Sequence, residues 1–80
     1  MKKLIKFSRI GCVPCKALEG YLDSKNVSYQ EFDVEEDIKE TVKYGVSGVP
    51  TLILLDDNGE VLDRIVGYTP PAVDNMINKM

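Results

Sequence analysis

The segment Thr51-Leu52-Ile53-Leu54-Leu55 carries no charge and does not alternate polar with apolar side chains. A strand with one wet face alternates, so an unbroken apolar run is expected of a strand covered on both faces. The chain is then expected to cover both faces of a sheet. With 80 residues it is expected to do so as a single α/β domain, residues 1–80, with no room for a separate cofactor module. The run Leu52 to Leu55 falls far short of the roughly 20 apolar residues that span a bilayer. The start, Met1-Lys2-Lys3-Leu4-Ile5-Lys6, has no signal-peptide hydrophobic region. No membrane association and a cytoplasmic location are expected.

The remaining elements follow from local pattern. Leu4 to Ser8 reads as a strand running into a turn at Arg9-Ile10-Gly11. A helix should start around Cys12, with Pro14 in the first turn, where a missing N–H is tolerated, and Asn26 as its stop. Ala17, Leu18, Tyr21 and Leu22 would form its apolar face. Val27 to Val34 reads as a second strand. A second helix, introduced by the negative charges of Glu35-Glu36-Asp37, runs to about Tyr44 with Ile38 and Val42 as a narrow apolar stripe, and Gly45 ends it in a left-handed conformation. Val46 to Pro50 is a loop before the central strand, Thr51 to Asp56. Asp57-Asn58-Gly59 signals a tight hairpin returning through Glu60 to Val66. Thr69 is an N-cap with Pro70 and Pro71 behind it, and Val73, Met76, Ile77 and Met80 continue a helical stripe. The order is β-α-β-α-β-β-α. Right-handed crossover makes the first two strands parallel, giving a four-stranded mixed sheet flanked by three helices.

Composition narrows the chemistry. A net charge of -3, from 10 basic and 13 acidic residues, with no polybasic stripe, argues against nucleic acid as a partner. The chain has no histidine, which removes imidazole acid–base catalysis, the Ser/His/Asp and Cys/His nucleophile systems and imidazole metal sites. Two cysteines three positions apart close too short a loop to staple the fold, contributing only about 2 kcal/mol before strain. Cys12-Val13-Pro14-Cys15 lies where a strand meets its helix, and the free N–H groups and dipole of a helix start favour an anion there. That anion would be a thiolate, the form that attacks disulfides. Cys12 is the better placed nucleophile. Cys15, one turn on and more buried, would break the mixed disulfide by attacking the Cys12 sulfur. Two blander readings stay open: half of an intermolecular zinc site, or a pair of core cysteines.

The segment Phe7 to Lys16, with Pro14 before the second cysteine and Lys16 after it, resembles the active-site segment of thioredoxins. Lys43 to Leu52 is similar to the thioredoxin segment around its cis-proline, and Asp57 to Val61 followed by Val66-Gly67 is similar to its hairpin and the glycine beyond. The likeness runs from about Leu4 to the C-terminus without the extra N-terminal strand and helix of full-length thioredoxins. It implies a thioredoxin-like fold and a Val49-Pro50 bond that is cis and lies against the cysteines. The Val49 backbone could then pair with an extended substrate segment, and Gly67 would keep the other wall of the groove open. An ordinary trans Pro50 and a plain turn glycine at 67 are also compatible with the residues alone. Val13 and Pro14 complete the substrate rim.

Departures matter too. Thioredoxins carry Trp where this chain has Gly11 and Gly where it has Val13, so the rim should be smaller and less aromatic. They also keep a buried Asp where Lys6 stands, and a Lys where Glu31 stands. An inverted Lys6–Glu31 ion pair beneath Cys15 would make Glu31 the proton acceptor when Cys15 ionises. Otherwise both point to solvent at strand ends. Arg9 and Lys16 flank the cysteines and are assigned to solubility.

The resemblance implies a thiol-disulfide oxidoreductase that reduces protein disulfides, is recharged by a flavin-dependent disulfide reductase, holds no cofactor or metal of its own and works as a monomer. A glutaredoxin would show an aromatic residue between the cysteines and Gly-Gly with an acidic pair after the last strand, where this chain has Val13-Pro14 and Gly67-Tyr68-Thr69-Pro70. A glutaredoxin-like electron donor to ribonucleotide reductase fits the small size, and a non-catalytic binding module could use the same fold.

Overall fold

A computed structural model describes every residue from Met1 to Met80. The elements are β1 (Lys3–Ser8), α1 (Val13–Ser24), β2 (Gln30–Asp33), α2 (Ile38–Lys43), β3 (Thr51–Leu55), β4 (Val61–Val66) and α3 (Pro70–Asn78). The four strands form one sheet in the order β2-β1-β3-β4, with β1 parallel to β2, antiparallel to β3, and β3 antiparallel to β4. All of β3 is buried, as its unbroken apolar run requires.

Alternation along β1 sorts its side chains between two layers. Leu4 joins Leu52 and Leu54 of β3 beneath α1 and α3, packed on Leu18, Leu22, Val73 and Met76. Each of these side chains contributes about 1.5–3 kcal/mol when fully removed from water. The Tyr21 hydroxyl donates to the Asp74 carboxylate at 2.6 Å, joining α1 to α3 above that cluster. Ile5 and Phe7 face the other way with Ile53 and Leu55, and Phe32 stacks on Phe7 with ring centroids 5.2 Å apart. Lys6 and Ser8 share the Leu4 face, so that layer turns polar toward the C-terminal end of β1.

Both αβ junctions close in the same way. After α1, Val27 N–H donates to Leu22 C=O and Asn26 N–H to Asp23 C=O, with Asn26 at φ +56°. After α2, Val46 N–H donates to Thr41 C=O and Gly45 N–H to Val42 C=O, with Gly45 at φ +62°. This is the paired 6→1 and 5→2 bonding that a left-handed residue at a helix end permits.

Several sequence expectations are corrected. β2 is confined to Gln30–Asp33 because its pairing with β1 begins at Ile5. Val27 and Tyr29 pack on the larger core from an irregular lead-in instead. α2 starts only at Ile38, after a turn in which Asp37 accepts from the Asp33 N–H at 2.9 Å. Ile38 and Val42 are 62% and 73% exposed, because Tyr44 and Val46, beyond the helix end, cover the sheet at that point. Ala17 is exposed on α1, and Met80 lies beyond the end of α3 and is exposed. Thr69 occupies the N-cap of α3 but makes no side-chain cap hydrogen bond.

Candidate active site

Cys12 is the N-cap of α1 and is joined to Cys15 by a disulfide with Cα atoms 5.2 Å apart, within the usual range for a bridge. The Cys15 N–H donates to Cys12 Sγ at 3.2 Å, so the sulfur takes the place of the oxygen that ordinarily caps a helix. A negative charge at this sulfur would meet an N–H donor and the positive end of the helix together. The two cysteines are unequal in access: Cys12 is partly exposed, whereas Cys15 is 3% exposed. Only Cys12 is open to an incoming partner. Val13 and Pro14 between them are exposed on the rim.

Beneath the bridge lies a cleft of ≈ 460 Å³ whose walls include Lys6, Ser8, Cys12, Cys15, Glu19 and Glu31. Lys6 is 1% exposed, yet its Nζ donates to Glu31 Oε1 at 3.0 Å and lies 3.9 Å from Glu19 Oε2. The Ser8 hydroxyl donates to the second oxygen of Glu31 at 3.1 Å. Parallel pairing of β1 and β2 sets Lys6 against Glu31, which is why residues 25 apart in sequence meet. The Lys6 ammonium also lies 5.6 Å from the centre of the Tyr29 ring. Burial, followed by the charges of Asp23, Glu19 and Glu31, pushes the Tyr29 phenol up to about 12, so it stays neutral near pH 7.

The Val49–Pro50 peptide is cis. Pro50 is buried, and its C=O accepts from the Gly67 N–H at 2.8 Å, while the Thr51 hydroxyl donates to Gly48 C=O at 2.7 Å. None of the loop's backbone hydrogen bonds uses Val49. Gly67 has φ +89°, and a Cβ there would meet nothing within 4 Å. Its backbone conformation therefore asks for glycine independently of any groove.

Two residues not singled out from the sequence belong to this constellation. Ser8 follows Lys6 by two positions and so shares its strand face. Glu19 follows Cys15 by four positions and so shares its helix face. Both spacings are visible in the sequence, but burial of Lys6, which gives them meaning, is not. No group of three or more His, Cys, Asp or Glu residues is arranged to hold a metal ion, and no helix is long and apolar enough to cross a membrane.

Comparison with known proteins accounts for the whole chain. Residues 1–80 match the family model described as a thioredoxin-like domain. The SPbeta prophage-derived thioredoxin-like protein YosR of Bacillus subtilis is 36% identical over 78 residues, covering 98% of each chain. A thioredoxin of the same organism is 35% identical, covering 85% of this chain and 71% of its own. Among solved structures, the reduced thioredoxin pre-protein of Schistosoma mansoni superposes with a TM-score of 0.87 at 27% identity, covering 98% of this chain and 77% of that one. With these matches spanning the fold and a disulfide-forming cysteine pair at the head of α1, the chain belongs to the thioredoxin family and is a thiol-disulfide oxidoreductase.

Proposed function

We propose that this chain is a reductant of protein disulfides that works as a cytosolic monomer. The observation that carries the reading is the asymmetry of the pair: an accessible Cys12 sulfur that accepts a helix N–H, and a shielded Cys15 one turn behind it. In the reduced state the Cys12 thiolate attacks one sulfur of a substrate disulfide, forming a mixed disulfide and expelling the first substrate thiolate. Cys15 then loses its proton to Glu31, directly or through water, with Lys6 as the partner that keeps the Glu31 carboxylate oriented. The Cys15 sulfur attacks Cys12 Sγ, the mixed disulfide breaks, and the second substrate thiolate leaves and takes a proton from solvent. Two electrons pass to the substrate, and the chain is left bridged. A flavin-dependent disulfide reductase returns it to the dithiol.

Substrate would dock across the rim formed by Val13, Pro14, Val49, Pro50 and Gly67. The Val49 N–H and C=O, uncommitted within the chain, are the natural pairing edge for an extended segment. Insulin-disulfide reduction tests the reading. The native chain is expected to turn over, Cys12→Ser to be inert, and Cys15→Ser to accumulate a mixed disulfide through Cys12. A chain that neither turns over nor traps substrate in the Cys15→Ser form is a binding module, and the reading is wrong.

A further inference from the structure

We infer that Lys6 sets the redox poise of the Cys12–Cys15 couple: its ammonium, sealed beneath Cys15 between Glu19 and Glu31, favours the open dithiol over the bridge. The inference rests on the thiol-disulfide reading above and extends it to what regulates the equilibrium.

Three observations converge. Lys6 Nζ reaches Glu19, four residues beyond Cys15 on α1, so the cation lies under the helix face that carries the buried sulfur. Lys6 and Cys15 also face the same cleft. Finally, water reaches the members of the ion pair unequally. The Lys6 side chain is 1% exposed, whereas those of Glu31 and Glu19 are 43% and 39% exposed. Solvent screens the two carboxylates more than the ammonium, so the buried end of the cleft favours an anion although its lining carries as many negative as positive side chains. The other charged groups on this cleft are Arg9 and Lys16, which add to the ammonium's sign, and Asp33, which opposes it; the Tyr29 ring near the ammonium is neutral.

The sign of the consequence follows from the half-reaction. The bridge carries no charge, whereas the dithiol near neutral pH carries one thiolate. A buried cation therefore stabilises the reduced form and, during resolution, the transient thiolate on Cys15. Against glutathione, two glutathione thiols supply two electrons. The Cys12–Cys15 bond breaks as the glutathione disulfide forms, one of the two protons stays on a cysteine, and the other goes to solvent.

The test equilibrates the full chain with defined ratios of reduced and oxidised glutathione and reads the bridged fraction by alkylation and mass. Lys6→Met is expected to shift the equilibrium constant on the order of tenfold toward the bridge, which corresponds to about 30 mV for a two-electron couple. Glu19→Gln removes a negative charge from the same cleft and is expected to shift it about threefold the other way. Lys6→Arg is expected to restore the native constant to within about twofold. Opposite signs from two changes in one cleft are not what mere structural damage would produce. The inference is overturned if folded Lys6→Met stays within about twofold of the native constant, or if Glu19→Gln moves toward the bridge. Should Lys6→Met not fold, Glu19→Gln and Lys6→Arg carry the test by the same criteria. A native chain that closes no bridge at any ratio defeats the thiol-disulfide reading itself.

Discussion

The layer between the sheet and helices α1 and α3 has two unlike ends. Leu4, Leu22, Leu54 and Met76 form one end, dry and aliphatic, with no polar side chain among them. At the other, two and four residues along β1 from Leu4, Lys6 and Ser8 occupy the same face and engage Glu31 beneath the cysteine bridge. A single strand thus changes from core to reactive site within two turns of its pleat. The aliphatic end holds the fold, whereas the charged end is built for the sulfurs above it at little gain in stability.

Removing aliphatic contact should break that division most visibly. Leu22→Ala is expected to lower the free energy of unfolding by about 2–5 kcal/mol in urea titration while leaving the glutathione equilibrium of the folded protein unchanged. At the charged end the two partners should differ. Glu31→Gln leaves the buried Lys6 ammonium with Glu19 at 3.9 Å as its remaining carboxylate, and a loss of about 2–3 kcal/mol is expected. The same variant should slow release of substrate from the Cys12 mixed disulfide and alter the pH dependence of that step. An unchanged release rate across pH would remove Glu31 from the proton path.

Lys6→Met leaves the Glu31 and Glu19 carboxylates, already 43% and 39% exposed, so the stability change is expected to be under about 1 kcal/mol even though the redox equilibrium moves. A loss as large as that of Leu22→Ala would place Lys6 with the structural core. The smallest effect belongs to the outer surface, where the Lys79 ammonium holds the Asp63 carboxyl below its ordinary value of 3.8. A lowered carboxyl pKa stabilises the fold above the ordinary value, and that stabilisation is lost as pH falls through the lowered one. Asp63→Asn should therefore narrow slightly the stability difference between neutral and acid pH, read as the urea midpoint at each.

Much of this architecture is legible where side-chain type and spacing act locally. The apolar run of β3, the turn residues at 57–59, the helix stop at Asn26 and the left-handed stop at Gly45 each carry their own physical reason. The cysteine pair is legible for the same cause, because a helix start is a local event. What fails depends on partners distant in sequence. Ile38 and Val42 have helical apolar spacing, yet Tyr44 and Val46 reach the sheet first and leave them in water. Val27 to Tyr29 have strand composition, but the β1–β2 ladder begins only at Ile5 and Gln30, so Val27 and Tyr29 are held by packing without strand pairing. The depth of Lys6 is equally invisible, since lysine ordinarily prefers solvent and only the parallel β1–β2 register brings Glu31 to it.

Disulfide reduction by this chain requires above all that Cys12 be held as an anion at the head of α1. The rate of alkylation of Cys12 in the reduced protein, followed from acid to alkaline pH with Cys15→Ser to isolate the signal, tests this directly. A titration midpoint at least about one unit below the free-thiol value of about 8.5 is predicted. A midpoint at that free value would contradict it.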